Sequence, residues 1–504
     1  MSLTRRFLMA GAPIAATLAG RPARANTSVL RYGLQVYPPS FLPWQSSGTS
    51  AATVNVCVRR GLLSYGHDGE LRGELAEHWQ VDGEAWLFKL REAYFHNGKR
   101  VTAADVKWTI EQITAPKSTA YLRGAMQDIT SVETPDDMTV RLITKQPISS
   151  LPYWFAMPQT PIISRDSPDA GVGAIGAGPF MIASNERGIG LRLEPFPKFY
   201  RPGVPKLKEL QMTVYADENL RVSALQAGDL DIIEYVPWQS IDAIAANTKL
   251  KMDSTDGPFM YLTFNGATGP FKDAKVRQAV SFAIKREDVA KAAFYGHAST
   301  LNGLPIPANS PYYNDKLAHY WTHDPAKAKQ LLKDAGVGDG FSCTLLSNIT
   351  NGMHKSTAEV VQQNLADIGI QVQLALPDWA NFLTLANRGQ YEFAVNGTAL
   401  DNNDPDALTS LIDGSLSPSF ARSWHLPTPE LTRLLAAGRA ELDQTKRKAI
   451  YDQVQQTALD QVPACFLVLR TQAYAMQRNV QGFHNLPGQL TFYSGYTLED
   501  TYLT

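Results

Sequence analysis

The 504-residue chain contains 44% hydrophobic and 19% charged residues, an ordinary globular composition and a length sufficient for two or more domains. Its 47 Lys and Arg residues nearly balance its 48 Asp and Glu residues, for a formal net charge of -1. This balance provides no bulk attraction to nucleic acid or to an anionic membrane surface, so we expect no polyanionic partner. Cys57, Cys343 and Cys465 form no CxxC motif or disulfide-rich pattern, although one disulfide is compatible with them.

The first 25 residues have the layout of an export signal. The adjacent Arg5 and Arg6 precede an apolar stretch over residues 7–20. The pair resembles a twin-arginine signal, although a general secretory signal or a cytoplasmic amphipathic start remains open. The stretch is shorter than the roughly 20 residues that span a bilayer and contains no cysteine for a lipid anchor. We expect cleavage after Ala25 and a periplasmic mature protein.

Strand and helix signals alternate in the first half of the mature chain. Residues 29–37 predict a strand that stops at two prolines, and residues 86–98 predict two short strands. Residues 101–113 then predict a helix with Thr102 as its N-cap.

The second half has a clearer α/β pattern. Its predicted helices cover residues 276–296, 324–336, 356–369 and 379–389, and its predicted strands cover 342–348, 370–376 and 392–400. Strands of about seven residues separated by helices indicate α/β units with largely parallel strand pairing.

The segment TALDNNDPDALTS, residues 398–410, places Asp401, Asp404 and Asp406 just past the last of these strands. Ligands usually bind at the carboxyl edge of such sheets. A calcium loop is excluded because the fifth and sixth positions after an Asp401 start are Pro405 and Asp406, where an EF-hand needs an oxygen ligand and glycine. A turn or helix cap also explains such carboxylates, Asp404 and Asp406 more readily than Asp401.

Other candidate sites have weak support. The GxGxxG match over residues 171–176 lacks the preceding strand and following helix that a dinucleotide site requires. His319 and His323 have helical metal-ligand spacing, but His323 directly precedes Asp324-Pro325 and fits a helix-entry loop. No catalytic motif or metal site is expected, which leaves an exported hydrolase with a scattered acidic site as the enzyme alternative.

The chain resembles the family 5 bacterial extracellular solute-binding proteins, the dipeptide- and oligopeptide-binding components of ABC importers. The likeness extends from about Val29 to the C-terminus. It is carried by the blocks at residues 75–106, 175–180, 264–287, 324–336 and 404–406.

The resemblance implies an α/β, two-lobe periplasmic binding protein of type II, similar to cluster C, with two hinge crossings. Lobe one would comprise residues 26–265 and 475–504, with an extra subdomain inserted over about 58–175. Lobe two would comprise residues 266–474. A monomer without a cofactor would enclose its solute between the lobes and deliver it to a membrane permease, without enzymatic chemistry.

The resemblance also implies ligand-binding roles for individual residues. Asp401 matches the aspartate that pairs with a peptide's α-ammonium, and Trp379 matches a pocket tryptophan. Two positions depart from the dipeptide binders: a second pocket tryptophan falls on Thr398, and the arginine that binds the peptide carboxylate falls on Asn348. Neutral Asn348 cannot supply that positive charge.

Tyr37 and Trp424 are further expected as aromatic walls of the pocket. These assignments predict capture of a peptide or another amine-bearing small solute. The alternative within the family is a non-peptide solute, such as an oligosaccharide, an opine-like conjugate or a metal chelate.

Overall fold

The computed structural model describes residues 28–45, 48–168 and 173–504. The predicted export signal, and Gly171 and Val172 of the glycine-rich segment, lie outside these residues. Within the described ranges, none of the helices combines the length and apolar character that crossing a bilayer requires.

The strands of the described chain are numbered in sequence order. They are β1 Val29–Leu34, β2 Leu63–Tyr65, β3 Leu71–Gly73, β4 Ala76–Asp82, β5 Ala85–Leu90, β6 Ile129–Asp136, β7 Thr139–Thr144, β8 Phe180–Glu186, β9 Gly190–Pro195, β10 Glu209–Val214, β11 Ile232–Ile233, β12 Leu250–Phe264, β13 Ala298–Thr300, β14 Phe341–Leu346, β15 Ile370–Ala375, β16 Phe393–Thr398, β17 Cys465–Gln477, β18 Val480–Gln481 and β19 Tyr502–Leu503.

The α-helices are numbered in the same way. They are α1 Thr49–Val58, α2 Ala103–Thr114, α3 Arg123–Met126, α4 Leu151–Trp154, α5 Glu218–Ala227, α6 Ile241–Ala245, α7 Ala274–Ala283, α8 Arg286–Phe294, α9 Asp315–Ala318, α10 Pro325–Asp334, α11 Gly352–Ala366, α12 Trp379–Ala386, α13 Thr409–Ile412, α14 Pro429–Ala440 and α15 Gln444–Gln461. The 3-10 helices are Trp238–Ser240, Pro270–Lys272, Pro405–Leu408 and Gly488–Glu499.

Two long strands connect the halves of the main sheet. The sheet has the order β15-β14-β16-β12-β17-β11-β1-β10-β9-β8, with β13 also paired to β17. β12 pairs with β16 only from Phe259 onward, and its register against β17 shifts between Asp256 and Phe259. The other end of β17 pairs with β11. β12 and β17 therefore join the β14–β16 side of the sheet to the β1 side, and these two sides correspond to lobe two and lobe one of the architecture implied by the resemblance.

Lobe two contains β14, β15, β16 and the Phe259–Phe264 part of β12. β14 pairs in parallel with both β15 and β16, as the α/β pattern predicts. The carboxyl ends of these three strands therefore meet at one edge. One large apolar core, centred on β12, α7, α8 and α11, fills this lobe.

Lobe one combines the β1 and β8–β11 side of the main sheet with a separate antiparallel sheet of order β4-β5-β7-β6. The core of this second sheet also includes residues of α1 and four residues of the C-terminal segment, namely Leu486, Leu490, Tyr493 and Tyr496. α2 covers the second sheet. It begins after Thr102, whose backbone N–H donates to the Asp105 carboxylate at 3.0 Å.

A buried charge network within lobe one joins segments that are far apart in the sequence, at residues 60–74, 201 and 499. The Arg60 guanidinium donates to Glu499 at 2.5 Å and lies 3.7 Å from the Glu74 carboxylate. Arg72 and Arg201 complete the network by pairing with both carboxylates. Burial disfavours ionisation of Glu74, but the arginines outweigh it and hold the pKa of that carboxyl well below its usual range.

The prediction of one helix over residues 276–296 is wrong, because the chain forms α7 and α8 with a break at Ile284 and Lys285. The Lys285 N–H donates to Asn364 Oδ1 at 2.9 Å instead of continuing the helix. The buried Arg286 side chain donates to the carbonyls of Leu301 and Phe466, each at 3.0 Å. These distant partners cannot be read from local periodicity.

Candidate ligand-binding site between the lobes

Asp401 lies three residues beyond β16, at the carboxyl edge of lobe two, and residues of lobe one hold this loop in place. The Tyr493 hydroxyl donates to the Asp401 carbonyl oxygen at 3.0 Å, and the Leu400 N–H donates to Gln489 Oε1 at 2.9 Å. The backbone of the loop is thus fixed by hydrogen bonds, which leaves the Asp401 carboxylate free for another role.

That carboxylate faces Tyr121 of lobe one. The Tyr121 hydroxyl donates to Oδ1 and Oδ2 of Asp401, both at 3.0 Å. Burial raises the pKa of Asp401 to about 6, and the hydrogen bond from Tyr121 partly offsets this rise. A positive partner placed here would remove the cost of burying the ionised carboxylate.

Asp404 has a structural role, because both of its oxygens accept from Arg447. The two bonds each measure 2.7 Å, and both side chains are buried. Asp404 Oδ1 also accepts from the Asp406 N–H at 2.9 Å, which is the cap predicted for this position. Because Arg447 already compensates the charge of Asp404, this carboxylate is not suited to anchor a ligand.

Asp406 is also compensated, here by Arg439. The guanidinium donates to the two carboxylate oxygens at 2.9 and 3.0 Å. Ser150 of lobe one donates to the same carboxylate at 2.8 Å. Asp406 therefore fixes α14 and a contact between the lobes rather than a solute.

The three carboxylates thus differ in one decisive respect. Asp404 and Asp406 each form a two-point pair with an arginine, whereas no lysine or arginine of the described residues pairs with Asp401. A partly buried carboxylate without a cation is suited to receive an ammonium group from outside the chain.

A cavity of about 420 Å³ opens beside Asp401. Its walls include Tyr121, Trp154 and Met157 from lobe one, and Asp401 and Ser410 from lobe two. The volume lies in the range of small-molecule sites, which commonly form at the interface between domains. The cavity can therefore admit a group that reaches Asp401 from between the lobes.

Trp379 begins α12 at the same edge of lobe two. Its ring stacks on Phe382, with centroids 5.2 Å apart and planes at 13°, and meets the His354 ring edge-on at 6.1 Å. It is partly buried and is not among the residues that line the Asp401 cavity. Thr398 is also partly buried and lies opposite Phe259, and its hydroxyl donates to the Ala399 carbonyl at 3.2 Å.

Asn348 follows β14 and is completely buried. Its Oδ1 accepts from the backbone N–H of Asn351 at 2.9 Å and from the side chain of Asn351 at 3.2 Å, while its Nδ2 has no hydrogen-bond partner. Asn348 therefore shapes the turn that leads into α11 and keeps one donor unused.

The structure does not bring Tyr37 or Trp424 to the Asp401 cavity. The Tyr37 hydroxyl donates to Asn185 Oδ1 on β8 at 2.6 Å. The Trp424 N–H donates to the Phe264 carbonyl at 2.8 Å, at the opposite end of β16 from Thr398. Trp424 is thus separated from that edge by about 16 Å, the length of the strand.

Tyr121 is a site residue that the sequence did not indicate. It is 53% exposed in a polar loop between α2 and α3, and it carries no periodic or motif signal. Its partner Asp401 is 280 residues away in the chain.

The histidines and cysteines considered in the sequence do not line the Asp401 cavity. Among the described residues, no group of three or more His, Cys, Asp or Glu side chains could hold a metal ion. His319 is largely exposed, with Nδ1 2.8 Å from the Asp315 carbonyl oxygen. The three cysteines are buried and unpaired.

Known proteins resemble this chain over most of its length. The family model of bacterial extracellular solute-binding proteins, family 5 Middle, matches residues 70–418. The glutathione-binding protein GsiB of Pectobacterium atrosepticum is 28% identical over 100% of this chain and 99% of its own. GsiB of Escherichia coli K12 is 27% identical over 91% of each chain.

Solved structures show the same fold. The binding protein AgaA from A. tumefacien R10, in complex with agropinic acid, is 36% identical with a TM-score of 0.84, over 94% of this chain and 99% of that one. DppA from Helicobacter pylori, in complex with the peptide STSA, is 22% identical with a TM-score of 0.80, over 94% and 98%. The chain belongs to family 5 of the bacterial extracellular solute-binding proteins.

Proposed function

We propose that this protein captures a peptide or another amine-bearing small solute between its lobes and delivers it to the membrane permease of an ABC importer. The observation that carries the proposal is the unpaired Asp401 carboxylate, which faces an interlobe cavity while its neighbours Asp404 and Asp406 are bound to arginines. Asp401 is the anchor for the solute's ammonium group.

The physical basis is differential binding by the two arrangements of the lobes. A solute held by Asp401 and by lobe one contributes its full interaction energy only when the lobes are closed, and so shifts the population toward closure. The permease then distinguishes loaded from empty protein by this shape. The protein acts in the periplasm as a monomer and makes or breaks no covalent bond.

The relatives support this class of solute. GsiB is named for glutathione, a tripeptide with one ammonium group, and DppA was solved with a peptide. Among the expected aromatic walls, Trp379 remains our proposal for a contact with the solute at the lobe-two edge, because it begins α12 after β15 and Asp401 follows β16 at the same carboxyl edge of the sheet.

Calorimetry tests the proposal. Glutathione and Met-Leu are titrated with free and with acetylated amines into the wild type, Asp401→Asn and the surface control Asp339→Asn. Acetylation should weaken wild-type binding by about 2–5 kcal/mol, the usual cost of losing one member of an enclosed charge pair. It should cost little in Asp401→Asn, whereas Asp339→Asn should behave as the wild type. Equal binding of free and acetylated probes by the wild type would exclude Asp401 as the anchor.

A further inference from the structure

Arg470 lies on β17 where this strand crosses between the lobes. Its Nη1 donates to Met353 Sδ of lobe two at 3.3 Å and to the Tyr235 hydroxyl of lobe one. The guanidinium also lies over the rings of Tyr235 and Trp238, 5.7 and 5.8 Å from their centroids. Arg470 is only 4% exposed, so a positive charge is buried at the hinge.

This charge lacks the compensation that other buried arginines receive. Arg277 donates to backbone carbonyls, including those of Phe271 and Val462, and Arg447 donates to the Asp404 carboxylate. Arg470 bonds to no carboxylate or carbonyl of the described residues, and its Nε has no partner. A buried cation without an anionic or carbonyl acceptor is costly, so the site favours an incoming anion.

The N-terminus of α11 adds a second attraction for negative charge. This helix has 15 residues and begins at Gly352, so Met353, which contacts Arg470, lies in its first turn. The Asn351 N-cap forms no side-chain bond to the helix. The first N–H groups of a helix have no partner within it, and the helix dipole favours an anion at this end.

Further unused polar groups surround the same place. Asn348 Nδ2, His354 Nδ1 and both amide atoms of Gln472 are buried without hydrogen-bond partners. Asn348 and His354 flank the start of α11, and Gln472 follows Arg470 by two residues, on the same face of β17. Asn348, His354, Arg470 and Gln472 are hereafter the hinge polar cluster. Native proteins satisfy nearly all buried polar groups, so this concentration indicates a missing ligand.

We propose that the hinge polar cluster binds a carboxylate of the same solute whose ammonium group binds Asp401. This inference rests on the proposed function and specifies it: the solute carries both a positive and a negative group. The planar guanidinium of Arg470 suits a carboxylate, and it supplies at the hinge the charge that Asn348 lacks.

The sheet sets the lateral spacing of the two strands, β16 and β17, that lead to these groups. Thr398, Phe259 and Leu469 lie opposite one another on the adjacent strands β16, β12 and β17. Two strand spacings separate Thr398 from the residue before Arg470, about 10 Å. An extended chain covers about 3.4 Å per residue, so about three residues cover the lateral separation of these two strands.

The experiment compares carboxylate and carboxamide forms of named probes. Glutathione and Met-Leu, each as the free acid and as the C-terminal amide, are titrated into the wild type, Arg470→Met and Arg470→Gln. The control is Lys355→Met, which removes a partly exposed cation of the same helix turn that pairs with Glu359 at 3.5 Å. Thermal unfolding establishes whether each variant is folded. Because Arg470 is replaced in two ways, the test remains valid if one of the two variants is unfolded.

We expect amidation to weaken wild-type and Lys355→Met binding at least tenfold, and to change binding less than twofold in both Arg470 variants. Equal binding of acid and amide by the wild type would overturn the carboxylate site while leaving Asp401 as anchor. An equal loss on amidation in wild type and Arg470 variants would place the carboxylate elsewhere and also overturn it.

The same titrations can contradict the proposed function independently of the carboxylate site. If acetylation of the amine has no effect but amidation still weakens binding through Arg470, the result supports the carboxylate site at the hinge and contradicts Asp401 as the ammonium anchor. Failure of the wild type to bind either probe in any form would contradict both proposals.

Discussion

The Tyr121 hydroxyl lies 3.0 Å from both carboxylate oxygens of Asp401, and the two residues belong to different lobes. Such a bond forms only when the lobes are close together. The hydroxyl therefore links the electrostatics of the ammonium anchor to the closure of the protein.

Tyr121→Phe should shift the protein toward an open arrangement and weaken amine binding. The lost hydrogen bond contributes about 0.5–1.5 kcal/mol, roughly a twofold to tenfold change in affinity. Small-angle scattering of the ligand-free variant should give a larger radius of gyration than the wild type, and calorimetry should give the weaker affinity. Tyr295→Phe, an exposed tyrosine of lobe two, is the matched control. An unchanged radius and affinity would show that the contact does not contribute to closure.

Binding of an amine-bearing peptide should have an optimum between about pH 6 and pH 8. The ligand-free pKa of Asp401 is raised to about 6, so below this pH the carboxyl is protonated and binding an ammonium must first expel a proton. Affinity should fall by up to about tenfold per pH unit on this acidic side, and above roughly pH 8 the α-amino group loses its charge.

The acidic decline should disappear in Asp401→Asn, because the amide does not titrate. Calorimetric titrations between pH 5 and pH 9 measure both limbs. Persistence of the same acidic decline in that variant would assign it to another group.

Asp404→Asn should reduce stability without removing the ligand. It leaves the buried Arg447 without its carboxylate partner, which typically costs about 3–5 kcal/mol. Urea unfolding should show this loss, whereas the folded variant should bind an amine-bearing peptide within about twofold of the wild type. The opposite result, normal stability with lost affinity, would assign the anchor role to Asp404.

Arg60→Met should destabilise lobe one by about 3–5 kcal/mol, because it leaves Glu74 and Glu499 buried with less positive charge. Arg433→Met, which breaks only an exposed pair with Glu430, should cost less than about 1 kcal/mol. Urea unfolding at pH 7 distinguishes the two, and similar losses would show that the network contributes little.

The same network predicts the sign of the acid response. Because the folded-state pKa of Glu74 is depressed, its stabilisation is complete above its ordinary pKa of 4.5 and is lost as the pH falls below it. Wild-type stability should therefore decline below about pH 4.5, and Arg60→Met should show a smaller decline.

Local sequence signals predicted the parts of the fold that depend on near neighbours. Thr102 predicts the start of α2, and the strand-helix alternation predicts the parallel strands whose common edge contains Asp401. The position of the Asp401 loop therefore follows from short-range patterns and from the resemblance.

Contacts between distant residues could not be predicted in this way. Tyr121 meets Asp401 across 280 residues, and Arg470 meets Tyr235 across 235 residues. The roles of Asp401, Asp404 and Asp406 also could not be separated from their spacing, because Arg439 and Arg447 come from later helices. The position of Trp424 depends on its backbone hydrogen bond to Phe264, at the opposite end of β16 from Thr398.

The ion pair between Arg60 and Glu499 also has a consequence for the order in which the chain matures. Synthesis produces Glu499 439 residues after Arg60, so lobe one cannot complete its interior until this later segment is available. Lobe two, whose strands lie between these residues, can consolidate first. Removal of residues 488–504 should therefore unfold lobe one selectively and leave a chain that cannot trap a solute, even though every group proposed to touch the solute is still present.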